Sequence, residues 1–243
     1  PNDNDMKNGF FYIAFLCMAS VFFGCNEQEK TGSLGETELY FNERLSSISA
    51  DGDSAFWIGS EAGDIWYMKQ RSFQSYNIGA DRIYKVVTDS VLADGKLCWV
   101  GIRNSGLQKW KLNEEETSLE EICAIPNKGT NYSVYDILLV GKSLYVATSQ
   151  GLYSMPRSGG KELKLVYPSE DSETAHSGKP FIVNNIRRYG PKCLLCATQE
   201  GLVRISLTDG KVSLSHAGEP VYTVSVYDNK VYLLARKKLY VED

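Results

Sequence analysis

The sequence predicts an all-β fold, a β-propeller of four-stranded blades with five repeats visible, standing alone or as part of a larger array. Three observations carry this. First, an apolar strand, a tight turn and an aromatic strand follow one another in Phe56-Trp57-Ile58-Gly59-Ser60-Glu61-Ala62-Gly63-Asp64-Ile65-Trp66-Tyr67. Second, the same text returns at Cys98–Trp110, Leu144–Tyr153 and Leu195–Val203, with a worn fifth copy at Leu233–Tyr240. Third, the small residue of each copy, Gly59, Gly101, Ala147, Ala197 and Ala235, recurs at intervals of 42, 46, 50 and 38 residues. Periods in the forties built from short strands mark propeller blades. An ordinary sandwich with chance likeness between hairpins is the competing arrangement.

Each motif has a physical reason. Alternating apolar and aromatic residues suit strands packed face to face between blades. Gly or Ala keeps side-chain volume low where strands crowd. The second glycine of each copy fits a turn position of positive φ. Inner strands are predicted at Arg44–Ser49, Ile83–Thr88, Val134–Val140, Asn185–Tyr189 and Val221–Tyr227. Polar turns such as Asp51-Gly52, Asp94-Gly95, Gly141-Lys142 and Asn229-Lys230 lead from them into the motif hairpins. Outer strands are predicted at Phe73–Ile78, Leu119–Ala124, Glu162–Tyr167 and Lys211–Ser215, and the last copy lacks one. Glu38-Leu39-Tyr40-Phe41 is an orphan strand that would complete the last blade; the alternative is a longer array of which this is a part.

The 243 residues carry a formal net charge of −4 and 43% hydrophobic content, the profile of an ordinary folded domain. The mild acidity gives no basic face for nucleic acid. Residues 1–24 read as an export signal with upstream residues, since Lys7 precedes an apolar run from Phe10 to Gly24. Gly24-Cys25 resembles the lipobox of a bacterial lipoprotein, which implies lipidation of Cys25; an uncleaved or ordinarily cleaved signal is the alternative. Residues 25–36 are polar and read as a tether, leaving residues 37–243 for the propeller.

The inner strand, the Asp-Gly turn, Trp57-Ile58-Gly59-Ser60 with Gly63 and the following aromatic strand together resemble the two-component regulator propeller repeat. Ile48–Tyr67 and Val87–Trp110 match best, Leu138–Tyr153 and Ile186–Ile205 more loosely. The resemblance implies the extracytoplasmic sensor of a Bacteroidetes hybrid two-component system, non-catalytic, reporting a ligand such as a carbohydrate fragment. It also implies a histidine kinase module in the same or a partner chain, and a place in the periplasm or at the outer-membrane surface. A lipid-anchored propeller acting as a binding or scaffolding protein is the alternative.

Candidate chemistry is sparse. Cys193 and Cys196 form a CxxC inside a predicted strand, where residues three apart face opposite sides and cannot share a metal. Cys98, Cys123, Trp57 and Trp99 read as core. His176 and His216 stand in predicted interblade segments with no HxxxH or acidic cluster, so no metal, cofactor or catalytic residue is expected. The segment Ser169–Pro180 reads as a long loop. In a propeller the loop before each inner strand and the turn inside each motif hairpin open on one face. On it the sequence places Arg103, Asn131, Tyr132, Asn184, Arg187 and Tyr222 as candidate ligand contacts: donors and acceptors for sugar hydroxyls, flat rings for stacking.

Overall fold

The computed structural model describes residues 39–70, 72–113, 115–169 and 181–242. The predicted signal, the predicted lipidation site Cys25, the predicted tether, Glu38, His176 and residues 170–180 lie outside the described residues. The chain forms two compact units, Pro1–Leu45 and Ser46–Asp243. In the first, Leu39–Phe41 carry no strand. The orphan-strand expectation fails there because an apolar run becomes a strand only where its backbone meets a ladder.

The second unit is built of strands. Blade 1 is β1 (Leu45–Ala50, whose first residue falls in the other unit), β2 (Ala55–Ser60), β3 (Asp64–Lys69) and β4 (Ser72–Asn77). Blade 2 is β5 (Ile83–Leu92), β6 (Gly95–Ile102), β7 (Gly106–Leu112) and β8 (Thr117–Cys123). Blade 3 is β9 (Val134–Val140), β10 (Ser143–Thr148), β11 (Gly151–Pro156) and β12 (Lys164–Tyr167). Blade 4 is β13 (Val183–Tyr189), β14 (Cys193–Thr198), β15 (Gly201–Ser206) and β16 (Val212–Ser215). Blade 5 is β17 (Val221–Tyr227), β18 (Lys230–Ala235) and β19 (Lys238–Glu242). In each sheet the strands pair in chain order. In blades 2 to 5 the first strands β5, β9, β13 and β17 each pack near the next, and blade 1 meets β5 through β2. Among the described strands none joins blade 5 to blade 1 as successive blades are joined.

The apolar core lies in the joints between blades, in four clusters. Trp57, Ile65 and Tyr76 meet Ile83 and Val100 in the first joint. Trp99 and Leu107 meet Val134 and Val146 in the second, Ala147 and Leu152 meet Val183 and Ile186 in the third, and Leu195 and Leu202 meet Val224 and Leu233 in the fourth. Trp57 and Trp99 are therefore core, as expected. The CxxC divides as its strand parity requires: Cys196 joins the third cluster and Cys193 packs against the fourth. Cys98 and Cys123 are buried free thiols, pushed up to about 12 by burial.

The small residue of the repeat has a visible cause. A Cβ on Gly59 would stand 2.7 Å from Ile83, and one on Gly101 2.7 Å from Val134 Cγ1, so the next blade's inner strand occupies that space. The register corrects the fifth copy. Gly59, Gly101, Ala147 and Ala197 each pair with the apolar residue Ile65, Leu107, Leu152 or Leu202, and in blade 5 it is Leu234 that pairs with Leu239. Ala235 is one position displaced. Leu234 is 43% exposed because no described blade covers that face.

β19 is clamped to blade 4. Glu242 accepts from His216 Nε2 at 2.8 Å and pairs with Arg204, while Tyr240 donates to Glu219 at 2.8 Å and lies against the His216 ring. Burial works against the Glu242 carboxylate, but the bonds from His216 and Arg204 outweigh it and hold its pKa below the usual range. A carboxyl depressed on folding contributes stability above its unfolded pKa, and the contribution is lost as pH falls through the folded value. Glu242→Gln is accordingly expected to lower the melting temperature at neutral pH and to converge with the parent below about pH 4. Equal displacement of the two melting curves at every pH would show that the clamp holds by packing alone.

Candidate functional site

The inner strands share a feature that bears on function. In β5 the ladder runs from Ile83 to Lys85, in β9 from Val134 to Asp136, in β13 from Val183 to Asn185 and in β17 from Val221 to Thr223, skipping one residue each time. The skipped residues are Tyr84, Tyr135, Asn184 and Tyr222. A bulge frees a residue from the ladder and re-aims its side chain, and here it does so at the same end of four successive blades. Tyr84 and Tyr135 stand with ring centroids 5.2 Å apart and tilted, and Tyr222 is 52% exposed. Asn184 Nδ2 donates to Val221 O at 2.9 Å, tying blade 4 to blade 5.

The residue after each bulge forms a polar line across the joints. Asp136 is 3% exposed and saturated. Its Oδ2 accepts from Asn185 Nδ2 at 2.8 Å, from Ile186 N at 3.0 Å and from Arg187 Nη1 at 2.7 Å. Its Oδ1 accepts from Ile137 N at 3.0 Å and faces Lys85 Nζ at 3.4 Å. Asn185 passes the line on, its Oδ1 accepting from Val224 N at 3.0 Å. A buried carboxylate needs such partners, because an unpaired one would cost several kcal/mol.

The six residues expected from sequence divide. Asn184 and Tyr222 are bulge residues on the mouth of the inner-strand array. Arg187 lies deeper on β13, held by Asp136 and by Ile186 O at 2.6 Å, and so belongs to the floor. Arg103, in the β6–β7 turn, is exposed and faces Asp81 at 3.9 Å. Asn131 is exposed in the loop before β9. Tyr132 is a packing residue, 2% exposed. Its hydroxyl donates to Cys123 O at 2.8 Å and accepts from Leu107 N at 3.1 Å, and burial raises its pKa. It lies where Gly106 has no side chain: a Cβ there would be 2.7 Å from the ring. Tyr84, Tyr135, Lys85 and Asp136 were not singled out from the sequence. A signal existed, since an apolar residue, a Tyr or Asn, and a polar residue open four of the inner strands.

Other polar groups near the mouth hold turns. Thr148 and Thr198 donate to the Gly151 and Gly201 carbonyls at 2.8 Å, and Ser60 Oγ accepts from Asp64 N at 2.9 Å. His216 is bound into the clamp on Glu242, as described. Among the described residues no group of three or more His, Cys, Asp or Glu is placed to hold a metal ion, and no helix is long and apolar enough to cross a membrane.

The architecture defines the class of protein: a β-propeller. No protein-family model matches the sequence, and no curated protein matches it. Solved structures do. The extracellular domain of BT4673 from B. thetaiotaomicron, described in one structure as a one-component and in another as a hybrid two-component system, is similar at 16% and 17% identity with a TM-score of 0.52. The match covers 91% of this chain but 34% and 33% of the BT4673 chains, so the chain spans about a third of their length. The β-propeller domain of Cps50 (Swd1) from Myceliophteria thermophila is similar at 11% identity with a TM-score of 0.53, covering 82% of this chain and 69% of that one. At these identities the likeness is one of fold.

Proposed function

We propose that the chain is a non-catalytic, ligand-sensing propeller of an extracytoplasmic two-component system, and that it takes a carbohydrate fragment at the mouth of the inner strands. The observation that carries this is the row of bulged residues Tyr84, Tyr135, Asn184 and Tyr222 above a polar floor. Tyrosine rings offer flat faces for pyranose stacking, and their hydroxyls with the Asn184 amide offer donors and acceptors. The floor favours binding over chemistry, because Asp136, its one carboxylate, already has five donors around it. The sensing partner is a histidine kinase module in the same or a partner chain. Export by residues 1–24 and anchoring by a lipid on Cys25, or by the signal itself, would place the domain in the periplasm or at the outer-membrane surface. The extracellular BT4673 neighbours support that setting. A lipid-anchored scaffold at the cell surface is the second reading, favoured by the exposed last sheet, on which Leu234, Leu239 and Val241 lie open.

The test is calorimetry against a panel of plant and host oligosaccharides. Tyr84→Ala with Tyr222→Ala is expected to weaken binding roughly tenfold or more, since each stacked ring contributes about 1 kcal/mol. Tyr222→Ala alone should leave the melting temperature within about 1–2 °C, as an exposed side chain contributes little. Arg187→Ala is a poor probe, because it also breaks the bond to Asp136. Affinity unchanged in the Tyr84/Tyr222 variant would move the site off the mouth.

A further inference from the structure

The described inner strands carry five charged side chains: Lys85, Asp89, Asp136, Arg187 and Arg188. Two of them are tied up away from the mouth. Asp89, toward the far end of β5, is held by Arg157 and Lys109, and Arg188 donates to the Gly190 and Pro191 carbonyls of the opposite turn. Lys85, Asp136 and Arg187 are left toward the mouth, two cations to one carboxylate. On the loops between blades 1 and 2, Arg82 and Arg103 each face a carboxylate of their own, Glu61 and Asp81. The surplus of positive charge is therefore local, in a chain whose formal net charge is −4. It stands on blades 2, 3 and 4, each flanked on both sides by a described blade.

Depth sorts the three groups by sign. The Asp136 side chain is 5% exposed, that of Lys85 21% and that of Arg187 38%. The negative charge lies beneath and the positive charges face the opening, where a recess of one sign draws in the other. Neither cation is saturated. Lys85 Nζ meets Asp136 at 3.4 Å and has no other partner among the described residues. Arg187 engages through Nη1 alone, on Asp136 at 2.7 Å and on Ile186 O at 2.6 Å. Its Nε–H and Nη2–H groups have no partner among the described residues. Because the guanidinium is planar, Nε–H and one N–H of Nη2 point the same way, and that edge is a two-pronged donor matched to a carboxylate. Tyr84 and Tyr135, which precede Lys85 and Asp136, set their rings at the same end of the strands.

We propose that the ligand of the mouth is an acidic oligosaccharide, and that the carboxylate of a uronic acid residue takes the free edge of Arg187 with Lys85 beside it. This rests on the reading of the mouth as a carbohydrate site and narrows it to one class. A neutral sugar leaves two cations facing the opening with one buried carboxylate between them, whereas a uronate balances the charge. The tyrosine rings supply stacking that any sugar can use, and the cations supply the selection.

The test is calorimetry on the full chain in mild detergent, with uronate trisaccharides of galacto, gluco and manno configuration, each beside its methyl ester. The ester keeps the shape of the sugar and removes its charge. At least one uronate is expected to bind roughly tenfold or more tighter than its ester, and to lose that advantage as salt is raised. Lys85→Gln, which keeps a donor toward Asp136, should shrink the ratio of acid to ester affinity severalfold. A lysine that only braced the fold would weaken both ligands alike and leave the ratio where it was. An ester that binds as tightly as its acid, or a ratio unchanged in Lys85→Gln, overturns the proposal while carbohydrate sensing at the mouth stands. Binding of a sulfated trisaccharide with none of the uronates overturns it in the same way. Absence of uronate binding at millimolar ligand overturns it as well, and the neutral members of the oligosaccharide panel then show whether the mouth reading falls with it.

Discussion

Asp136→Ala is expected to destabilise the propeller by about 3–5 kcal/mol, the largest single loss available on the inner strands. The carboxylate serves two joints at once. It faces Lys85 of blade 2 and accepts from Asn185, Ile186 and Arg187 of blade 4. Removing it leaves Lys85 and Arg187, both part-exposed, without their anion and the buried donors of Asn185, Ile186 and Ile137 without this acceptor, and the cost is mainly that of the groups left behind. Asp136→Asn keeps the shape and one acceptor, and should lose roughly half as much. In a domain of this size the alanine variant would melt roughly 10 °C below the parent. Because Tyr135 precedes Asp136 and Asn184 precedes Asn185, the same change should also weaken ligand binding at the mouth. A loss under about 1 kcal/mol by calorimetry would mean that the apolar clusters hold the blades without the polar line.

The repeat was legible because its cause is local. Trp57-Ile58-Gly59 and Cys98-Trp99-Val100-Gly101 record, in one strand, both the core face and the space the next blade fills. The CxxC was legible for the same reason, since strand parity alone separates Cys193 from Cys196. The bulges were not. Whether Tyr84 or Tyr135 leaves the ladder depends on the register of the partner strand, which single-strand patterning does not contain. Tyr132 was placed on the surface because loops before inner strands are polar; its burial depends on the space at Gly106, 26 residues earlier in the chain. The fifth copy was set one residue out because Ala235 looks like the small residue. The position it was meant to mark belongs to Leu234, where the constraint that selects Gly or Ala is relaxed.

That relaxation gives the second large effect, a contrast between two residues at one structural position. Gly101→Leu is expected to cost about 3 kcal/mol, the upper part of the range for overpacking. Its Cβ would lie 2.7 Å from Val134 Cγ1 and 3.1 Å from the Val134 carbonyl oxygen. The side chain of Val134 has little room to yield in a cluster with Trp99, Leu107 and Val146, and its backbone is fixed by pairing with Thr148. The strain must therefore be relieved by moving the whole inner strand of blade 3, which carries Tyr135 and Asp136. Binding at the mouth should fall along with stability. Leu234→Ala, the converse change in blade 5, should fall within about 0.5 kcal/mol of the parent, because that side chain packs against no following blade among the described residues. Thermal melts of the two variants decide the matter. If Gly101→Leu melts with the parent, blades 2 and 3 are not held as closely as these distances require; if Leu234→Ala is the damaging change, blade 5 is covered by a partner in solution.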